Sequence, residues 1–240
     1  MRTNPRSMNC RLWAVFLLGA ALMLSGCQQF AVPGLLDKTL FPATTPSVTR
    51  APNPIMILMS PADAALETTG SGKAGAFTWH TTVSIGSIVE AAALISFATE
   101  FAGGVTVQRA QVAAPAPLTV PPTLSVSLAN IHYEYRDDVL YAILIPLPVV
   151  GGVVEKRDMT SRLTADVRII DEHGTVLWKR SYDSGHERWK PDYSFRGYSI
   201  DQKAKGVQRM AHQQAIQLLT QAARDVRDWF ELEKRRERIL

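Results

Sequence analysis

The chain has 240 residues, 20% of them charged and 46% apolar, with two cysteines and five histidines. That balance excludes a disordered chain, a collagen-like repeat and a cysteine-stapled miniprotein, and the length suits one domain with a core of ordinary size. The formal charge of +4 points to no partner until the basic residues are located along the chain.

Arg2, Arg6 and Arg11 open the sequence without an acidic neighbour, and Leu12 to Leu24 follows as an uncharged, almost wholly apolar run of thirteen residues. Such a run is too short to cross a hydrocarbon layer of about 30 Å as a helix. A basic start, a short apolar stretch and small residues after it describe a secretory signal peptide, residues 1–26. Its end, Leu24-Ser25-Gly26-Cys27, resembles the lipobox of bacterial lipoproteins. The resemblance implies a diacylglyceryl thioether on Cys27, cleavage before it, acylation of the new amino group, and attachment to the lipid bilayer through the acylated Cys27. Gln28 stands where an Asp retains enterobacterial lipoproteins at the inner membrane, so the resemblance also implies the periplasmic face of the outer membrane.

Cys10 leaves with the leader, so the mature chain keeps Cys27 alone and forms no internal disulfide. It also loses three positive charges, which leaves 23 basic against 22 acidic residues. A nearly neutral mature protein gives no argument for nucleic acid as a partner.

Residues 27–54 carry the cysteine and then Pro33, Pro42, Pro46, Pro52 and Pro54, a pattern expected of an extended tether or of an arm over the domain surface. A single domain is expected over 55–230. Ile55–Met59 reads as a buried strand. The glycine-rich Thr68–Gly75 lacks the Walker spacing around Lys73 and reads as a mobile surface loop. Ser87-Ile88-Val89-Glu90 has the form of a capping box, and Ile88, Ala91, Ala92, Ile95, Ala98 and Phe101 continue it as a helix with one apolar stripe, stopped by Gly103-Gly104. Val105 and Val107 begin the next strand.

Leu124, Val126 and Leu128 alternate with polar or small residues, after which the apolar set shifts to Ile131, Tyr133 and Tyr135. That shift predicts a bulge near Asn130. Val139–Ile145 reads as a further strand pairing back across Arg136-Asp137-Asp138, and Pro146 and Pro148 stop it. Leu163, Ala165, Val167 and Ile169 alternate with Arg162, Thr164, Asp166 and Arg168 and pair as a hairpin with Val176–Trp178, with Gly174 closing the turn. Ser199 and Gln202 offer a cap for a long helix whose stripe runs Val207, Ala211, Ala215, Leu218, Ala222, Val226 and Trp229. Residues 231–240 are its charged helical tail, either solvated or partner-binding. The expected fold is mixed α/β, a mostly antiparallel sheet packed against one short and one long C-terminal helix.

Catalytic patterns are not found. No serine sits in a Gly-x-Ser-x-Gly elbow, the five histidines are scattered, and His186-Glu187 and Asp137-Asp138 read as solvated loop residues, so the chain is expected to be no enzyme and to need no metal or cofactor. The aromatic and charged segment 185–198 supplies the candidate interaction residues Trp189, Tyr193, Phe195, Arg196 and Tyr198. Large rigid side chains with polar handles anchor interfaces, stack on sugars, or fold back to cap a sheet.

The order of elements over 55–230, behind a lipobox, resembles envelope assembly lipoproteins and periplasmic domains: the curli secretion channel lipoprotein, the Pel exporter lipoprotein and the amino-terminal domain of the Tol-Pal translocation protein. The resemblance implies a non-catalytic structural or assembly component, with an envelope protein partner or a homo-oligomer. The alternative is a periplasmic binding module for peptidoglycan, lipid or an exported substrate. The channel-forming member inserts amphipathic hairpins into the outer membrane, whereas Leu140–Val150 is apolar and proline-broken.

Overall fold

The computed structural model describes residues 28–32, 46–47, 49–74, 77–109, 124–145, 152–171, 173–191 and 200–237. Over these the chain forms β1 (Gln28–Val32), β2 (Ile55–Met59), the one-turn helix α1 (Pro61–Ala64), β3 (Thr68–Ala74), β4 (Phe77–Val83), α2 (Ile85–Glu100), β5 (Val105–Arg109), β6 (Leu124–Ile145), β7 (Gly152–Ile170), β8 (Val176–Asp183), β9 (Glu187–Trp189) and α3 (Ile200–Glu237). The leader, Cys27, residues 110–123 and 146–151, the cap residue Ser199, and Tyr193, Phe195, Arg196 and Tyr198 lie outside the described residues.

The fold is the expected mixed α/β one, a curled sheet against a short and a long helix. Its spine is the antiparallel pair β6–β7. On the free edge of β6, β2 pairs in parallel with Leu124–Leu128 and β3 with Arg136–Asp138. On the free edge of β7, β8 pairs with Thr164–Ile170 and β9 with Met159–Ser161. The outer strands then follow, β5 beside β2, and β4 and β1 beyond β3.

The local signals explain much of this. β2 alternates buried and half-buried residues and is central, with a parallel neighbour on each side. The register slips between Ala129 and His132, and Asn130 takes φ 51°, so the predicted bulge is present. Asparagine tolerates that left-handed conformation, and its Nδ2 donates to Asp166 at 2.8 Å. Gly174, at φ 80°, closes the β7–β8 turn as expected.

Three expectations are corrected. Thr68–Ala74 is a paired strand, because Gly70 serves a close approach rather than a loop: a Cβ there would lie 2.0 Å from Tyr135 Cδ1. Arg136-Asp137-Asp138 is no turn but the middle of β6, and Val139–Ile145 continues that strand against the start of β7. Asp137 there is buried and held by an ion pair, as described below, while Arg136 stays exposed. The helix α2 begins at Ile85 with Ser84 as its cap residue, so Ser87 lies in the first turn and makes no capping box. The Ser84 hydroxyl donates to Glu67 at 3.2 Å, and Gly86 fits against the carbonyls of Asp63 and Ala64.

α2 is also buried on more than one stripe, including Ile85, Ile88, Val89, Ala92, Ala93 and Phe97, because it lies between the sheet and α3, whereas Ala98 is exposed. α3 has 38 residues and spans about 57 Å at 1.5 Å per residue. Its predicted stripe is the buried one: Val207, Ala211, Ala215, Leu218, Ala222 and Val226 are all nearly inaccessible, and Trp229 packs partly buried on the core. Within the segment expected to be a tether, β1 pairs in parallel with β4, Ala51 bridges Phe101, and Arg50 donates to the carbonyls of Ala98 and Phe101 at the end of α2. Arginine there satisfies carbonyls that the helix leaves over and complements its dipole.

Candidate functional site at the base of the long hairpin

The inner face of β6–β7 changes chemistry along its length. Val126, Leu128 and Ile131 face inward with Leu163, Ala165, Val167 and Ile169; further along, the same alternation buries Tyr133, Tyr135 and Asp137 with Arg157, Met159 and Ser161. Asp137 and Arg157 are each only 1% exposed. They sit diagonally across the ladder, and the guanidinium grips the carboxylate with both Nε, at 3.0 Å, and the terminal nitrogen.

The neighbouring strand repeats the device on the other face. Arg188 of β9 clasps Asp158 through Nε at 2.6 Å and a second nitrogen, which holds the Asp158 carboxyl below its ordinary range. Arg136 and Asp138 pair at 2.6 Å. A collar of opposed charges therefore rings the level at which β3 and β9 leave the hairpin.

α3 closes the site from inside. Gln214, fully buried, donates from Nε2 to the Ser161 carbonyl at 2.8 Å and lies 3.4 Å from that of Gly185. Trp189 packs half-buried against the core with its ring over Gly206, where a Cβ would approach Cζ3 to 2.8 Å. Burial pushes the phenols of Tyr133 and Tyr135 above their ordinary range, with Arg157 acting the other way on Tyr135. Burial likewise raises Glu187, opposed by Arg209.

A second polar cluster lies nearer the β7–β8 turn. Asp166 accepts from Ser181 Oγ at 2.5 Å, Asn130 and Lys179, and these bonds hold its carboxyl far below the usual carboxylate range. Tyr182 donates to Asp225 at 2.8 Å while burial raises its phenol, and Arg180 pairs with the same carboxylate at 2.7 Å. Buried Glu100 takes Arg227, and Arg224 at 3.5 Å, which joins α2 to α3.

Chemically these groups are clamps. Arg188 holds the Asp158 carboxyl low, Ser181, Lys179 and Asn130 hold that of Asp166 low, burial raises the phenols of Tyr133 and Tyr135, and no three His, Cys, Asp or Glu residues gather for a metal among the described residues. No helix among them is long and apolar enough to cross a membrane. Of the candidate interaction residues, only Trp189 is described, and it faces Gly206 and the core. Sequence reasoning missed the Asp137–Arg157 pair. Its signal was there: extending the inward set Ile131, Tyr133, Tyr135 by two reaches Asp137, and extending Leu163, Ala165 backwards reaches Ser161, Met159 and Arg157.

No family model matches the chain, and no curated protein does. Among solved structures it is similar to a Helicobacter pylori protein titled a neuraminyllactose-binding hemagglutinin homolog, at 8% identity and TM-score 0.40 over 80% of this chain and 96% of that one. It is similar to the PelC dodecamer from Paraburkholderia phytofirmans at 11% identity and TM-score 0.25, over 74% and 91%. A third similar structure is lipoprotein B from Nitrosomonas europaea, at 12% identity and TM-score 0.30 over 78% and 87%. Likenesses this distant carry no argument about activity or partners.

Proposed function

We propose that this chain is a lipoprotein of the bacterial envelope, acylated at Cys27, exposed on the periplasmic face of the outer membrane, and acting as a non-catalytic assembly component. The observation that carries the reading is Leu24-Ser25-Gly26-Cys27 behind a basic start and a short apolar run. The clamped polar groups support a scaffold rather than an enzyme, because burial pushes the phenols of Tyr133 and Tyr135 up and hydrogen bonds push the Asp166 carboxyl down, each away from the range in which proton transfer is useful. The pairing of Gln28–Val32 with β4 supports close attachment: the sheet begins one residue after Cys27.

Anchoring takes two or more acyl chains, since one gives only marginal binding. Mass spectrometry of the mature protein is expected to find a diacylglyceryl-modified Cys27 at the amino terminus, and Cys27→Ser to accumulate unprocessed precursor. An unmodified amino terminus downstream of Cys27 would overturn the reading. For the assembly role, crosslinking in whole envelopes is expected to yield a discrete adduct with a second copy or an envelope protein. Because Trp189 also supports the core, Tyr193 and Tyr198 are the substitutions to use. Truncating them should weaken the adduct at an unchanged melting temperature, and loss of both together would reject an interface there.

A further inference from the structure

Strand β8 is bonded along one edge. It pairs with β7, and no strand among the described residues lies along its other side. Most of it is exposed, and Val176 and Leu177 at its start, 48% and 52% exposed, are large apolar residues open to solvent. An open strand edge is a template for a further strand. The register identifies the groups this edge offers. Ser184 donates its amide to the Leu163 carbonyl at 2.9 Å, one step beyond the pair Asp183–Thr164. Bonded and non-bonded pairs alternate along an antiparallel ladder, so Tyr182 and Arg180 bond to β7, while Lys179, Ser181 and Asp183 turn their amides and carbonyls outward.

Tyr182 is buried on the inner face, so the side chains of Lys179, Ser181 and Asp183 stand on the outer one. There Arg162 donates from Nε to Asp183 at 3.1 Å and Lys179 pairs with Asp166 at 3.0 Å, yet the side chains of Lys179 and Asp183 remain 49% and 43% exposed. This strand is complementary to itself. In an antiparallel pairing of two copies about a two-fold axis at Ser181, Lys179 of each copy lies opposite Asp183 of the other. The row Arg162, Asp183, then Lys179 and Asp166 of the second copy alternates in sign across the seam, and opposite charges facing across strands are stabilising. Pairings centred on Lys179, Arg180 or Asp183 would instead set like charges face to face. Those centred on Trp178 or Tyr182 would leave Lys179 opposite Leu177 or Gly185, with no acid to meet.

We propose that β8 is the edge through which two copies of this chain pair, antiparallel and centred on Ser181, so that their curled sheets join into one. The proposal names a partner for the assembly role and stands without the acylation. Each outward residue exchanges both its backbone bonds with the residue opposite, Ser181 with Ser181 and Lys179 with Asp183. The two-fold consumes both β8 edges, so this pairing closes at two copies. Its axis stands perpendicular to the sheet and carries every point of one copy to the same height in the other. With that axis along a membrane normal, both copies present Cys27 to the same surface.

The test uses the full mature protein in vesicles of phosphatidylethanolamine and phosphatidylglycerol, mildly oxidised, with single cysteines added on β8. Residues of a bonded antiparallel pair lie about 5.5 Å apart at Cα, within reach of a disulfide. Ser181→Cys is therefore expected to form a disulfide dimer. Lys179→Cys and Asp183→Cys are each expected to stay monomeric, because equivalent residues of the two copies are then about 14 Å apart, while the two variants reconstituted together give a mixed dimer. The mixture decides the matter even where Ser181→Cys, which loses its bond to Asp166, fails to fold. A dimer at Ser181 or in the mixture, with both single variants silent, supports the seam. No dimer in either, or a dimer of Lys179→Cys or Asp183→Cys alone, overturns it. Mass spectrometry of the same samples reads Cys27. Dimers through the added cysteines in protein without acyl chains support the seam and refute the anchor, and acylated protein without such dimers does the reverse.

Discussion

The two ends of the β6–β7 inner face are equally buried and chemically opposite. Around Val126, Leu128, Val167 and Ile169 the face is wholly apolar and packs beneath the helices; around Tyr133, Tyr135, Asp137 and Arg157 it is polar and just as inaccessible. Alternation along a strand therefore decides which residues go inside, but leaves open what they bond to there. At the apolar end any well-shaped neighbour suffices. At the polar end a buried charge or amide needs a specific partner: Asp137 finds Arg157 on the facing strand, and Gln214 reaches from α3 to the Ser161 carbonyl.

The largest test of that contrast places a charge where the sheet offers no partner for it. Ala215 is fully buried on α3 and Gln217 exposed. Ala215→Asp is expected to cost at least about 4 kcal/mol in urea unfolding, and Gln217→Asp to stay within about 0.5 kcal/mol. Equal midpoints would mean that α3 presents another face to the sheet.

At the polar end, Asp137→Ala removes one half of a buried ion pair, for an expected loss of about 3–5 kcal/mol. Replacing both Asp137 and Arg157 by leucine should recover most of that loss, which would separate the cost of a stranded charge from the worth of the pair. A double variant as unstable as the single one would instead make the ion pair itself the stabilising element.

The close approach of β3 gives a smaller effect. Gly70→Ala drives a methyl into the Tyr135 ring and should cost about 1–3 kcal/mol by overpacking. The same substitution in a Tyr135→Leu background should cost less, and full additivity in the double-mutant cycle would rule out direct contact.

The mildest test concerns Asp166, whose carboxyl its hydrogen bonds depress. A depressed acid stabilises the fold above its unfolded value, near 4, and that contribution is lost as pH falls from there through the folded value. Asp166→Asn should thus cost about 1–2 kcal/mol at neutral pH, and its deficit against the parent protein should shrink steadily below about pH 4. A deficit independent of pH would place the effect in packing rather than charge.

The fold was more legible than the site. The bulge at Asn130, the Gly174 turn and the buried stripe of α3 each rest on a few adjacent residues, so a window of sequence contains the whole cause. The strand Thr68–Ala74 was not legible, because its Gly70 is explained by Tyr135, 65 residues further along the chain. Three consecutive charges at Arg136-Asp137-Asp138 resemble a turn for the same reason: only Arg157, on the facing strand, makes the burial of Asp137 tolerable, while Arg136 stays exposed.

By itself the sequence determined periodicity and local backbone conformation, since a period of two or of 3.6 residues and a residue able to adopt positive φ are properties of the chain at that point. It therefore yielded the face of α3, the β7–β8 hairpin and the slip at Asn130. Tertiary structure alone decided that β6 runs unbroken through its charged centre, that Asp137 meets Arg157, and that Gln28 shares a transverse row with Asp137. Those outcomes depend on which strands lie side by side, and that choice is made by the packing of the whole sheet against α2 and α3, with no signature in any single segment.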